Sequence, residues 1–215
     1  MAYNLNNKLV IAISSRALFD LEEENQIFEK DGLDAYYKYQ LENEDKSLKK
    51  GTGYRLVENI LKINSFFSSD ERQVEVIILS KNNAATSLRI TNAINDLKLD
   101  IIRSAWTSGT NISNYLKAFK VDLFLSADDN DVLNAIENGV AAAKILHSNE
   151  NIHNSSNNQV RIAFDGDAVL FSEESELVYK NHGLEAFIEH EKENRNNPLE
   201  MGPFAKLLLT IAKIQ

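Results

Sequence analysis

Carboxylates, a hydroxyl and a lysine follow apolar segments of this chain in a pattern that suits phosphoryl transfer. One carboxylate can attack phosphorus and a second can move protons, while a hydroxyl and a lysine hold the phosphoryl oxygens. The residues that could take these parts are Asp165, Asp167, Ser80, Lys117 and a third carboxylate, Asp128.

Each candidate also has a simpler structural interpretation. The sequence Asp-Gly-Asp at 165–167 could form a plain turn. Ser80 could cap a helix, which does not exclude phosphate binding. Lys117 could be a solvated helix cation. The competitors for the remaining roles are Lys120 for Lys117, and Asp129 or Asp131 for Asp128.

Strands and helices alternate in the middle of the chain. Apolar runs predict strands over 74–80, 101–106 and 121–126, and periodic apolar positions predict helices over 88–97, 112–119 and 131–143. This alternation predicts an α/β fold, a three-layer Rossmann-like parallel sheet with helices on both faces. Because ligands bind outside the carboxyl ends of parallel strands, we expect the candidate residues at one edge of the sheet.

The chain contains an internal repeat. Residues 6–64 superimpose on 157–215 without a gap, and 18 of the 59 pairs are identical. We therefore predict a single domain over 1–215 in which each copy carries a strand and a helical cap, over 21–50 and 172–201, with a polar loop at 148–158 before the second copy. At this offset Asp165-Gly166-Asp167 falls on Ser14-Ser15-Arg16, so the first copy lacks both carboxylates.

These motifs resemble the haloacid dehalogenase-like phosphohydrolase superfamily, whose strand ends carry a DxDx[TV] motif, a Ser or Thr, a Lys and an acidic residue. The stretches SSRALFDLEEE, LEAFIEHEKEN and AFDGDAVLFSEESE look more narrowly like the cytosolic 5'-nucleotidase type I family. The resemblance runs over nearly the whole chain.

The resemblance implies hydrolysis of nucleoside 5'-monophosphates, of the AMP or IMP type or deoxynucleotides, through an aspartyl-phosphate intermediate. Asp165 would be the nucleophile, Asp167 the acid and base, and Lys117 the neutralising cation. Mg²⁺, which prefers oxygen ligands, would be held by Asp165, Asp167 and Asp128. The predicted substrate-binding residues are Ser80, Lys81, Asn82, Thr107, Gly109 and Asn111. The loop 107–111 could equally be a simple connector. Alternative functions are hydrolysis of another small phosphate ester, or nucleotide sensing by a non-catalytic phospho-acceptor domain.

The position of the second copy is open at this point. In an ordinary member of the superfamily the nucleophile strand comes first, whereas here the first strand ends in Ser14-Ser15. Our hypothesis is a permuted motif order, in which the C-terminal strand supplies Asp165 and Asp167 at the centre of the sheet and the N-terminal strand lies elsewhere. Exchange of the C-terminal copy between subunits of a homo-oligomer is a second possibility.

Composition sets limits on partners and location. The net charge of -9, with no basic patch, disfavours nucleic acids and anionic membranes. With no cysteine, the chain has no disulfide, no thiolate metal site and no Cys nucleophile. The first residues lack the pattern of a signal peptide, and no run is long enough for a membrane helix. We therefore expect a cytoplasmic protein whose partner is a nucleoside monophosphate.

Overall fold

The computed structural model describes residues 4–147 and 159–214. Its contacts divide the chain into two compact units, Met1–Val160 (unit 1) and Arg161–Gln215 (unit 2). The predicted polar loop at 148–158 lies outside the described residues, as do the ends of the second copy at 157, 158 and 215.

Unit 1 is built on a five-stranded parallel sheet. Its strands are β1 (Leu9–Ile13), β4 (Val74–Ser80), β5 (Arg103–Trp106), β6 (Leu123–Ser126) and β7 (Ala142–Lys144), in the order β5-β4-β1-β6-β7. A separate antiparallel pair joins β2 (Phe19–Asp20) to β3 (Lys49–Lys50). The predicted α/β parallel sheet is confirmed.

Helices connect the strands of unit 1. The α-helices are α1 (Ser15–Leu18), α2 (Glu22–Glu42), α3 (Tyr54–Leu61), α4 (Leu88–Asp96), α5 (Ser113–Ala118) and α6 (Asp129–Glu137), with 3-10 turns at Lys62–Phe66 and Ser69–Glu71. The prediction of one helix over 131–143 is wrong. The helix ends before Gly139, whose φ of 75° is left-handed, and the short apolar run after it forms β7.

The core of unit 1 lies on both faces of the sheet. On one face, Val10 and Ala12 of β1 pack with Ile77 of β4 beneath Leu116 of α5 and Ala135 of α6, all fully buried. Side chains alternate between faces along a strand, so Ile13 points to the opposite face, where the start of α3 packs against it. Helices on both faces hold the carboxyl ends of β1, β4 and β6 at one edge.

The N-terminal strand is the central strand of this sheet. Leu9–Ile13 pairs in parallel with β4 on one side and with β6 on the other. The hypothesis that the N-terminal strand lies elsewhere, leaving the centre to the C-terminal copy, is therefore wrong. Both copies contain a similar apolar segment, and strand order is set by tertiary pairing, which the sequence pattern does not contain.

Unit 2 contains a π turn (Gly166–Leu170) and two helices, α7 (Glu174–Asn194) and α8 (Ala205–Ile214). A bridge between Phe171 and Met201 brings the residue after the turn alongside the segment that precedes α8. No strand is assigned to residues 161–164 of this unit.

The two copies share local structure in detail. Gly32 interrupts α2 with φ 85° and ψ -175°, and Gly183 interrupts α7 with φ 81° and ψ -175°. This backbone region is open essentially to glycine alone, which explains the glycine at both positions. The aromatic pair Phe28–Tyr36 is matched by Tyr179–Phe187, and both pairs are edge-to-face.

The register between the copies shifts once. After Ser14, the amide of Phe19 donates to Ser15 and closes a four-residue α turn, whereas the amide of Phe171 donates to Gly166 and closes a five-residue π turn. Ala168, with a left-handed φ of 58°, lies in this longer turn. The offset of 151 is recovered by Gly183, which is why the sequences superimpose without a gap.

Candidate active site

At the carboxyl edge of unit 1, serines replace the expected carboxylates. The Ser14 Oγ accepts hydrogen bonds from the amide of Ala17, at 3.3 Å, and of Ala127, at 3.4 Å. The Ser15 and Ser80 hydroxyls lie 3.1 Å apart, and both residues are buried. These contacts join the ends of β1, β4 and β6, so the serines stabilise the edge.

Ser80, Lys81 and Asn82 lie together with the 107–110 loop at the carboxyl edge of the sheet. The amide of Thr107 donates to the Ser80 carbonyl at 3.0 Å, and the amide of Gly109 donates to the Lys81 carbonyl at 2.8 Å. The Ser80 Oγ accepts from the Asn82 amide, and α4 begins only at Leu88, so Ser80 does not cap that helix. The sequence alone left that question open.

The charged groups at this edge are largely paired with one another. Lys81 Nζ lies 2.6 Å from Asp131 Oδ1. Asp128 is the N-cap of α6, where its side chain accepts from the amide of Asp131 at 3.0 Å. Asn111 accepts from the amide and the hydroxyl of Ser113 at the start of α5. In these contacts Asp128 and Asn111 stabilise the first turns of α6 and α5.

Lys117 is not brought to this edge. It is an exposed residue in the last turn of α5, the end of the helix that leads into the beginning of β6. Its competitor Lys120 donates to Asn6, which precedes β1 at the amino edge of the sheet. A parallel sheet has its ligand edge at the other end of the strands, so neither lysine lies with Ser80.

A contact from α2 was missed by sequence reasoning. The Tyr36 hydroxyl donates to Asn82 Oδ1 at 3.0 Å, and Gln40 donates to the Tyr36 oxygen at 2.9 Å. Burial raises the pKa of Tyr36, which keeps the phenol neutral and able to donate. Among residues 4–147 and 159–214, no group accepts a hydrogen bond from the buried Asn82 Nδ2. The one sequence signal for a role of Tyr36 was that the aromatic residues at 28 and 36 recur at 179 and 187 in the second copy.

Below this contact, α2 is fixed to α4 by a buried ion pair. Arg89 Nη1 lies 2.5 Å from Glu24 Oε1, and its Nε donates to the Lys46 carbonyl at 3.0 Å. The side chains of Arg89 and Glu24 are 8% and 6% exposed, respectively, so the pair is largely shielded from solvent. The predicted cap segment of the first copy is therefore held firmly on its own unit.

In unit 2, Asp165 and Asp167 lie at the start of the π turn. Asp165 is the N-cap residue, and its Oδ1 accepts from the Gly166 amide at 2.7 Å. Both aspartates are exposed. The end of the turn is held by the segment before α8, because the amide of Gly202 donates to the Leu170 carbonyl and the amide of Phe204 to that of Val169. The turn thus presents two carboxylates from a fixed backbone.

The donor set on this turn consists of oxygen atoms, which suits a hard divalent cation such as Mg²⁺. Across residues 4–147 and 159–214, no three His, Cys, Asp or Glu side chains are grouped closely enough to hold a metal ion between them. A cation at Asp165 and Asp167 would therefore complete its coordination with water and substrate oxygens, which Mg²⁺ commonly does.

Comparison with known proteins gives the family of this chain. The model of the 5'-nucleotidase family matches residues 1–215, and the chain belongs to this family. The predicted family is thereby confirmed. The chain is 34% identical over 213 residues to the human protein "Cytosolic 5'-nucleotidase 1B", an alignment that covers 97% of this chain. It spans 35% of the length of that relative.

Proposed function

We propose that the protein carrying this chain hydrolyses nucleoside 5'-monophosphates to a nucleoside and phosphate, with Asp165 and Asp167 as the catalytic carboxylates. The observation that carries the proposal is the π turn that presents both aspartates to solvent. Membership of the 5'-nucleotidase family supports the substrate class, since the name of the human relative gives that activity.

The reaction has two balanced steps. The Asp165 carboxylate attacks phosphorus, the bond from phosphorus to the 5' oxygen breaks, and Asp167 gives its proton to the departing nucleoside oxygen. Asp167 then takes a proton from water, whose oxygen attacks the aspartyl phosphate and releases phosphate. Asp165 returns to its starting state. The hydrogen bond from Gly166 to Asp165 fixes one carboxylate oxygen, and the exposed position of Asp167 gives it access to water.

Mg²⁺ bound through Asp165 and the backbone carbonyl of Asp167 would reduce the repulsion between the anionic nucleophile and the anionic ester. The net charge of -9 makes such a cation useful, because the whole chain repels phosphate.

Every helix in the described part of the chain is too short or too polar to cross a bilayer. We extend to this chain the cytosolic location in the relative's name. Assembly into a homo-oligomer stays a prediction.

A substrate panel tests this function. Phosphate release is measured from the 5'-monophosphates of adenosine, inosine, guanosine, cytidine and uridine and from their deoxy forms, with Mg²⁺ and with excess chelator. We expect turnover of at least one nucleotide with Mg²⁺ and its loss with chelator. Turnover of sugar phosphates in preference to every nucleotide would replace the proposal with a general phosphatase. Nucleotide binding with no phosphate release would replace it with a sensor.

A further inference from the structure

Hydrogen bonds in unit 1 run in one direction, from α4 through α2 to the carboxyl edge of the sheet. A guanidinium can only donate, so Arg89, whose Nη1 lies 3.5 Å from Gln40 Oε1, directs that oxygen towards itself. Gln40 then donates through Nε2 to the Tyr36 oxygen, and the Tyr36 hydroxyl donates to Asn82 Oδ1. This series of contacts orients the Asn82 amide so that its Nδ2 is directed away from Tyr36.

Two buried donors at this edge lack an acceptor. Asn82 Nδ2 and Arg16 Nε are both buried, and no group within residues 4–147 and 159–214 accepts a hydrogen bond from either. Buried polar groups are nearly always hydrogen-bonded, because leaving a donor without a partner destabilises the fold. Two such donors therefore indicate acceptors that a ligand supplies.

Both donors belong to residues at the ends of neighbouring strands. The Ser15 and Ser80 hydroxyls lie 3.1 Å apart where β1 and β4 end. Arg16 follows Ser15 directly, and the backbone amide of Asn82 donates to Ser80 Oγ at 3.3 Å. The donors are thus next to one buried pair of hydroxyls, at the edge where parallel sheets bind their ligands.

The charge of this site differs from that of its equivalent in the second copy. Ser14 and Arg16 stand where the second copy has Asp165 and Asp167, so a hydroxyl and a cation replace two carboxylates. One nitrogen of the cation, Arg16 Nη2, lies 3.1 Å from Glu22 Oε1, which leaves Nε for another acceptor. Carboxylates repel phosphate unless a cation lies between them, whereas guanidinium and amide N–H groups bind its oxygens directly.

We propose that unit 1 binds a phosphate group through Asn82 Nδ2 and Arg16 Nε, and that this binding requires neither Mg²⁺ nor Asp165. Tyr36 is the positioning residue that orients Asn82. The choice of phosphate as the ligand rests on the proposed function, because the equivalent turn of the second copy is the proposed phosphate site. Free phosphate and the 5'-phosphate of a nucleotide offer the same oxygens, so the experiment separates the two sources.

Calorimetric titration of the 215-residue chain tests the proposal. The chain carries Asp165→Asn and excess chelator is present, so that the probes are not hydrolysed. The probes are inorganic phosphate, AMP and adenosine. We expect a phosphate-bearing probe to bind and adenosine not to bind, and the tighter of the two phosphate-bearing probes identifies the source. Absence of binding by both, or equal binding of adenosine and AMP, would overturn the proposal.

Tyr36→Phe tests the orientation of Asn82. Phe187 is the counterpart of Tyr36 in the same kind of edge-to-face pair, so phenylalanine suits the packing. We expect roughly tenfold weaker binding of the tighter probe, because the Asn82 amide is then free to turn its oxygen towards the ligand. The matched control is Tyr37→Phe, which removes an exposed hydroxyl from the next residue of α2 and should stay within about twofold.

Asn82→Asp replaces the proposed donor with a carboxylate oxygen, and we expect at least about 30-fold weaker binding. Tyr36→Phe should add no further loss to Asn82→Asp, since it acts only through Asn82, whereas a general structural effect would add. Arg16→Met removes the second donor and decides the proposal if circular dichroism shows that Asn82→Asp does not fold. Unchanged affinity in the folded variants would overturn the proposal. If the substrate panel shows no turnover, the proposed function fails, while these titrations still decide the inference.

Discussion

Gly202 fixes the turn that carries the proposed catalytic aspartates. A Cβ at this position would lie 2.5 Å from the carbonyl oxygens of Val169 and Phe171. Real Cβ atoms essentially never come closer than 3.0 Å and ordinary contact begins near 3.4 Å, so Gly202→Ala must separate the two segments by about 0.5 to 0.9 Å. The opposing atoms are backbone atoms of the π turn, so the displacement is passed to the turn itself.

Because a displacement of about 1 Å in a catalytic group costs on the order of 100-fold in rate, we expect Gly202→Ala to lower kcat by roughly that factor. The assay is Mg²⁺-dependent phosphate release from the best nucleotide of the panel, with kcat and KM measured separately. We expect the loss in kcat, since the change moves the reacting carboxylates.

Gly183→Ala is the matched control. Its Cβ would meet nothing within 4 Å, but its φ of 81° is strained for alanine. We expect it to cost about 1–3 kcal/mol of stability while leaving kcat within a few-fold of the natural protein. A Gly202→Ala protein with unchanged kcat would refute the claim that this contact positions Asp165 and Asp167.

Two further predictions concern unit 1. Glu24→Ala leaves the buried Arg89 without its carboxylate partner, and we expect a loss of about 3–5 kcal/mol, against less than about 1 kcal/mol for Glu42→Ala, which removes only an exposed pair with Lys38 at the end of the same helix. Fluorescence of Trp106, the single tryptophan, follows unfolding of unit 1, and equal effects of the two changes would contradict the prediction. Burial and the nearby Glu58 raise the pKa of Tyr54 from 10.0 to about 12, so the folded state keeps a proton that the unfolded state loses in this range. The free energy of unfolding should therefore fall as pH rises from 10 to 12. Tyr54→Phe should flatten that fall, and an unchanged slope would be the contrary result.

Much of the fold could be predicted from the sequence. The apolar run at 74–80 became β4 with the same bounds, and the runs ending at Trp106 and Ser126 became β5 and β6 with shorter starts. β4 and β6 are apolar because they are buried on both faces, which gives a strong local signal, whereas the edge strand β5 is only partly buried. The prediction of a helix over 131–143 failed because the helix ends before Gly139. A glycine with a positive φ ends a helix whatever apolar residues follow.

The candidate site was harder to predict because its parts depend on strand order. The chain has two similar apolar segments, 9–13 and 160–164, and only pairing shows that the first is central in its sheet. The extra residue in the turn that contains Ala168 could not be seen in the sequence, because the two copies are again 151 residues apart by Gly183. Lys117 was assigned to the site by its residue type, whereas its position in the last turn of α5 places it at the amino end of the strands.

The most direct test of the central claim is the turnover of Asp165→Asn beside that of Ser14→Ala, the equivalent position of the first copy. Asparagine keeps the size of aspartate and cannot serve as the carboxylate nucleophile. We expect Asp165→Asn to lose at least about 1,000-fold in kcat, and Ser14→Ala, which loses only hydrogen bonds at the sheet edge, to remain within about fivefold. Full turnover by Asp165→Asn would contradict the assignment of this residue as the nucleophile.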